Sequence, residues 1–108
     1  MALRLTVQVQ LVVQALLRDP VREMYGLELS DETGLQPGTA YPILLRLEHE
    51  GWVASRWEDV DPRVAKRPAR RYYRLTAGGA AAASAALAGA RRPNGTALRR
   101  LAERGGTA

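Results

Sequence analysis

Apolar residues recur at Val9, Val12, Val13, Leu16 and Leu17, the i, i+3, i+4, i+7, i+8 spacing of one helical face. The same stretch opens on an alternation of Leu3, Leu5, Val7, Val9 and Leu11 that would suit a strand. Thr6 as an N-cap and Asp19-Pro20 as a stop favour a helix over about residues 7–18. Pro20 and Val21 predict a turn. A second helix is expected from Arg22 or Glu23 to Glu32, with Tyr25, Leu27 and Leu29 as its bulky apolar residues and Gly34 closing it. Gly26 inside that helix lowers its propensity, which argues for a close packing contact there. A third helix starts near Pro37, a first-turn position where a missing N–H does no harm, and stops at Gly51. Ala40, Ile43, Leu44 and Leu47 form its inner stripe. Thr39, Tyr41, Pro42, Leu45, Arg46 and His49 take other faces. Only Gly34-Leu35-Gln36 separates these two helices, which suits a helix-turn-helix.

Beyond Gly51 the period changes. Val53 to Trp57 reads as a strand and Arg70 to Leu75 as its return, with Tyr72 and Tyr73 on opposite faces. Between them, Glu58 to Ala69 is rich in charge and proline and predicts an exposed wing loop. Thr76 then caps an alanine-rich helix from about Ala77 to Ala90. The predicted fold class is mainly α with a two-stranded β wing, a winged helix-turn-helix followed by a C-terminal helix. The expected organisation is a winged-helix domain over 1–76, a helical dimerisation segment over 77–104 and a disordered tail over 105–108. Within that segment, Arg91-Arg92-Pro93-Asn94-Gly95 is a break, and Thr96 to Arg104 could form one more short helix.

Charge sharpens this outline. The chain of 108 residues has a net charge of +5. Residues 1–55 carry four arginines against seven carboxylates, and residues 56–108 carry twelve Lys/Arg against four. The basic half begins at the wing, as expected of a binder of phosphate backbones. The composition also excludes chemistry. There is no cysteine and one histidine, so thiolate sites and multi-histidine zinc sites have no ligands. His49 between Glu48 and Glu50 is no acid–base site, because consecutive helical positions do not converge and no nucleophile supports them. No enzyme activity, metal or cofactor is expected. No apolar run is long enough to span a membrane and no leader pattern is visible, so the expected location is the cytoplasm.

In such an arrangement helix 3 enters the major groove. Thr39 and Tyr41 hydroxyls can bond phosphates or base edges, and the N–H groups near Gly38 can meet a phosphate. Arg46 can reach phosphate or pair with Glu50. Pro42 and Leu45 offer apolar contact. Lys66, Arg67, Arg70 and Arg71 lie along the wing and can track the backbone or enter the minor groove. Trp52 is expected under helix 3. Trp57 is expected either exposed at the wing base or lining a pocket. The rival expectation is a protein-interaction module whose helix 3 binds another protein through Pro42 and Leu45.

Three runs carry a family resemblance: Tyr25-Gly26-Leu27-Glu28-Leu29, then Gly38-Thr39-Ala40-Tyr41-Pro42 through Gly51-Trp52-Val53, then Arg71-Tyr72-Tyr73-Arg74-Leu75-Thr76-Ala77-Gly78-Gly79. Together and in order they resemble the PadR family of bacterial transcriptional regulators over about residues 5–90. The resemblance implies a winged-helix homodimer that binds an inverted-repeat operator in double-stranded DNA, usually as a repressor. It implies DNA contact at Thr39 and Tyr41, within the motif that includes Pro42. It also implies a dimer interface built from helix 1 and the C-terminal helix, here Val9, Val12, Val13 and Leu16 with Ala80, Ala83 and Leu87. Gln36 departs from the serine or threonine usual at the helix 3 cap. Some relatives bind phenolic acids or flat drugs between subunits through aromatic side chains. The alanine-rich helix of this chain has none, so any small-molecule effector would have to use Trp52, Trp57 or tyrosines.

Overall fold

The computed structural model describes residues 3–91. The expected helix over Thr96 to Arg104 and the tail over 105–108 lie outside them. Helix α1 spans Val7–Leu17, and the Thr6 hydroxyl accepts the Val9 N–H at 3.2 Å as its cap. Val7 is 72% exposed, which breaks the strand-like alternation, while Val9, Val12, Val13 and Leu16 face inward. Leu3 and Leu5, in the extended lead-in, pack at the margin of the core.

The next element departs from expectation. Met24–Tyr25 form a short strand, β1, and helix α2 spans only Gly26–Thr33. Met24 and Tyr25 pair antiparallel with Tyr73 and Tyr72, so the backbone is extended where local propensity favours helix. Glu28 then accepts the Tyr25 N–H at 3.1 Å, holding the start of α2. Gly34 ends it with φ of 76°, a left-handed conformation that glycine adopts without strain.

Helix α3 spans Pro37–His49 and buries Ala40, Ile43, Leu44 and Leu47, the four residues of the expected stripe. Strand β2 is Val53–Trp57 and β3 is Arg71–Leu75, paired antiparallel from Val53–Leu75 to Trp57–Arg71. The sheet therefore has three strands, in the order β1-β3-β2, rather than the two of the expected wing. The wing is also not plain loop. Pro62–Ala65 form one helical turn, α4, capped by Asp61, whose carboxylate accepts the Arg63 N–H at 2.9 Å.

Helix α5 spans Ala77–Arg91. The Thr76 hydroxyl accepts the Gly79 N–H at 2.9 Å, the cap expected there. Ala83 and Leu87 join α1, α3 and Tyr73 in one core. The chain is thus a winged helix-turn-helix with a C-terminal helix folded against it. This changes the reading of the dimer positions. Val9, Val12, Val13, Leu16, Ala83 and Leu87 are all buried in the chain's own core, and Ala80 is half-buried. The apolar stripe of α5 covers α1 of the same chain, and Leu87 also lines a groove between the two helices.

Candidate nucleic-acid interface

Burying one stripe of α3 turns the opposite stripe to solvent. Gly38, Tyr41, Pro42, Leu45, Arg46 and His49 are all exposed, and Thr39 is half-buried beside them. The helix has no side-chain cap. The Gln36 carbonyl takes the N–H groups of Thr39 and Ala40, both at 2.9 Å. Pro42 has no N–H to give the carbonyl of Gly38, four residues back. Arg46 makes no ion pair among the described residues, so the alternative pairing with Glu50 is not formed. Tyr41 is held at one edge, because its ring packs against the backbone of Gly26 at the start of α2. This is the close contact that a glycine at position 26 implied.

The wing is tied to α3 by a small polar network. Arg71, on the inward face of β3, donates to Glu48 of α3 at 3.2 Å and to the Ser55 hydroxyl of β2 at 2.8 and 3.0 Å. Ser55 in turn donates to Glu48. The Arg71 guanidinium also lies 5.5 Å from the centre of the Trp57 ring. Arg71 was expected to track DNA. Its side chain instead joins three elements of the chain, because position 71 shares a sheet face with the buried Tyr73 and Leu75.

A second clasp closes the wing. Arg67 forms a two-pronged ion pair with Glu58, at 2.6 and 3.0 Å. Glu58 also accepts the Arg70 N–H and the Tyr72 hydroxyl, both at 3.3 Å. Arg67 foremost holds the Glu58 carboxyl down at about 2, well below its ordinary 4.5. A carboxylate whose folded pKa is depressed stabilises the fold above its unfolded pKa, and that contribution is lost as pH falls through the folded value. The wild-type chain should therefore be more stable than Glu58→Gln above about pH 5, and the difference should shrink below that and vanish near pH 2. Urea midpoints of both proteins across that range measure it; a difference independent of pH would refute the clasp.

The wing cations thus divide. Arg67 and Arg71 are engaged within the chain, and Arg56 pairs with Glu23 at 2.6 Å. Arg63, Lys66, Arg70 and Arg74 make no ion pair among the described residues. Arg63 and Lys66 are exposed on and just after α4. Arg63 was missed from the sequence because the segment read as loop. Asp61-Pro62, a cap followed by a first-turn proline, was the signal that could have placed it on a helix. The Arg70 guanidinium sits 4.2 Å from the centre of the Tyr25 ring. Trp57 is 61% exposed and also lines a cleft, so both expectations for it hold. Trp52 packs at the edge of the core, as expected.

Among the described residues no three His, Cys, Asp or Glu side chains gather as metal ligands, and no helix is long and apolar enough to cross a membrane. What the geometry offers is a protruding helix face flanked by a basic wing. Solved structures share the fold that positions them. A PadR-like transcription factor from Bacteroides fragilis superposes with a TM-score of 0.63 at 19% identity, over 94% of this chain and 88% of that one. A PadR family regulator from Clostridium difficile R20291 gives 0.60 at 23% identity, over 76% and 84%. A zinc-responsive MarR family member, ZitR of Lactococcus lactis, gives 0.60 at 15% identity, over 100% and 66%. Similarity at this level shows the fold, which two regulator families share, and no curated protein matches in sequence. The family is decided by sequence instead: the transcriptional regulator PadR-like family matches residues 14–85, from the second half of α1 through the exposed stripe of α3 and the wing into α5, and the chain belongs to that family.

Proposed function

We propose that the chain is a repressor that binds an inverted-repeat operator as a homodimer. The observation that carries this reading is the exposed stripe Gly38, Tyr41, Pro42, Leu45 and Arg46, bordered by Thr39 and set beside a wing whose Arg63, Lys66 and Arg70 make no ion pair among the described residues. A helix presented in this way fits the major groove, which is about 12 Å wide. Base selection falls to Thr39, Tyr41 and Pro42, and backbone attraction to Arg46, Arg63, Lys66 and Arg70. Arg67 and Arg71 shape the wing and helix rather than meeting phosphate first.

The dimer face lies along the outer edge of the buried stripes. A groove between α1 and α5 is lined by Gln14, Leu17, Arg18, Ser84, Leu87 and Ala88. Ala81, Ala85 and Ala88 are exposed along α5, and small side chains let a second helix approach closely. Two copies joined there would present two α3 helices to half-sites about 34 Å apart.

Anisotropy with a labelled duplex from the promoter beside its own gene tests this. Affinity should fall steeply with salt, with a log–log slope of about −0.9 per phosphate neutralised. Arg63→Ala with Lys66→Ala should reduce that slope by about 2 and weaken all duplexes alike. Thr39→Ala with Tyr41→Phe should instead bring operator affinity towards that for random duplex. Equal affinity of the native chain for operator and random DNA would sink the repressor reading. It would favour the rival one, in which the shallow apolar patch of Pro42 and Leu45 receives a protein.

A further inference from the structure

The exposed face of α3 and the cations of the wing stand on different elements, and their mutual position depends on how α3 meets the hairpin of β2 and β3. Near Gly51 the join is apolar: Ile43, Leu44 and Leu47 share a core with Val53, Tyr73 and Leu75. Apolar burial is non-directional, so it holds the helix on the sheet more firmly than it fixes its tilt. At the other end of the ladder, where Trp57 pairs with Arg71 and the wing begins, the join is polar. Among the described residues, every hydrogen bond between α3 and this hairpin ends on Glu48: one from Ser55, and one from Arg71 at 3.2 Å. Arg71 also donates to Ser55 at 2.8 and 3.0 Å, so three side chains from three elements close a ring. The Arg71 guanidinium is further confined by the Trp57 and Tyr73 rings, 5.5 and 5.9 Å from their centres.

Two features indicate what the ring does. The Glu48 and Arg71 side chains are 29% and 37% exposed, and a pair so open to water adds little stability. Its hydrogen bonds are directional, however, and a guanidinium presents its donors in one rigid plane. The second feature is the sign of the charge. Glu48 shares a shallow surface patch with Pro42, Leu45, Arg46 and His49. A carboxylate there opposes phosphate, a cost that a positioning role offsets. We propose that Glu48 is a positioning residue for operator recognition. With Arg71 and Ser55 it sets the tilt and distance between α3 and the wing, so that Thr39 and Tyr41 reach base edges while Arg63 and Lys66 reach the flanking backbone. Two linked sets of contacts reinforce each other only when geometry lets both form at once. Random duplex makes no such demand, because sequence-independent phosphate contacts can slide along the DNA. The inference rests on the DNA-binding reading given above.

Anisotropy with the labelled promoter duplex and a random duplex of equal length tests this. Charge alone predicts that Glu48→Ala tightens binding to both. Positioning predicts that it weakens the promoter duplex tenfold or more and leaves the random duplex unchanged or tighter. Arg71→Lys keeps the charge but loses the fork, and should weaken the promoter duplex at least threefold. Added to Glu48→Ala, it should cost nothing further. Tighter promoter binding by Glu48→Ala, an equal loss on both duplexes, or additive losses in the double variant would each overturn the proposal. Circular dichroism melts show whether each variant is folded. Ser55→Ala opens the ring without a change of charge, so it decides the matter if Glu48→Ala does not fold: promoter selectivity should fall, and native selectivity would count against the ring. The linkage itself is measured without DNA. The chain has no cysteine, so spin labels at Leu45→Cys on α3 and Val64→Cys on the wing, both exposed positions, report the distance between them in protein diluted with unlabelled chain. The distribution should be narrow in the otherwise native chain and should broaden or shift in Glu48→Ala. An unchanged distribution would refute the positioning role. If the native chain does not prefer the promoter duplex to random DNA, the repressor reading falls, and the spin-label distance alone decides whether Glu48 holds the wing.

Discussion

Gly79→Ala should destabilise the chain by about 3 kcal/mol or more, a drop in Tm of at least roughly 12 °C for a domain of this size. Helix propensity points the other way, since alanine is favoured over glycine by about 1 kcal/mol inside a helix. Space decides. A Cβ at Gly79 would lie 2.6 Å from the Cα and carbonyl carbon of Trp52 and nearer still to its carbonyl oxygen. These are backbone atoms and cannot rotate away. The Trp52 N–H donates to Leu47 and its carbonyl accepts the Thr76 N–H, both at 2.9 Å. Moving Trp52 would thus break the end of α3 and the junction of β3 with α5 together. Gly78, next in the chain, has nothing within 4 Å of a Cβ position, so Gly78→Ala should be neutral or slightly stabilising. Thermal melts of the two variants side by side check the argument. Similar Tm values would show that backbone contact does not set the requirement for glycine at position 79.

Periodic features were legible in the sequence. The inner stripe of α3 follows from a 3.6-residue repeat, and the cap at Thr76 from one hydroxyl before a helical run. The missed elements depend on distant partners. Nothing near Met24 and Tyr25 announces a strand, because its reason is a pairing with Tyr72 and Tyr73, nearly fifty residues on. The same limit applies to charge. Counting residues located a basic half, but it could not tell a free arginine from a paired one. Arg67 and Arg71 looked equivalent to Lys66 until Glu58, Glu48 and Ser55 were placed beside them. The apolar stripe of α1 shows a related limit. An apolar stripe is a demand for burial, and α5 of the same chain meets the demand of α1. Which chain satisfies a stripe is a matter of topology, not of pattern.

Gly26→Ala should leave the fold standing and weaken operator binding tenfold or more. Its added Cβ would lie 2.6 Å from the Tyr41 ring carbon Cε1 and closer to the hydroxyl end of that ring. Here the obstacle is the far end of a side chain that is 44% exposed and free to swing outward. Alanine at the head of α2 gains helix propensity, about 1 kcal/mol at most, which offsets part of the crowding. Tm should therefore shift by only a few degrees. The Tyr41 hydroxyl, however, would leave the position from which α3 presents it. A displacement of about 1 Å in a positioned polar group is enough to lose a specific contact. A double-mutant cycle separates this from general damage. In a Tyr41→Ala background there is no ring to displace, so adding Gly26→Ala should cost no further DNA affinity. An equal loss in both backgrounds would mean that Gly26 acts on binding by a route other than Tyr41, and unchanged affinity in the single variant would remove Tyr41 from the set of residues that read DNA.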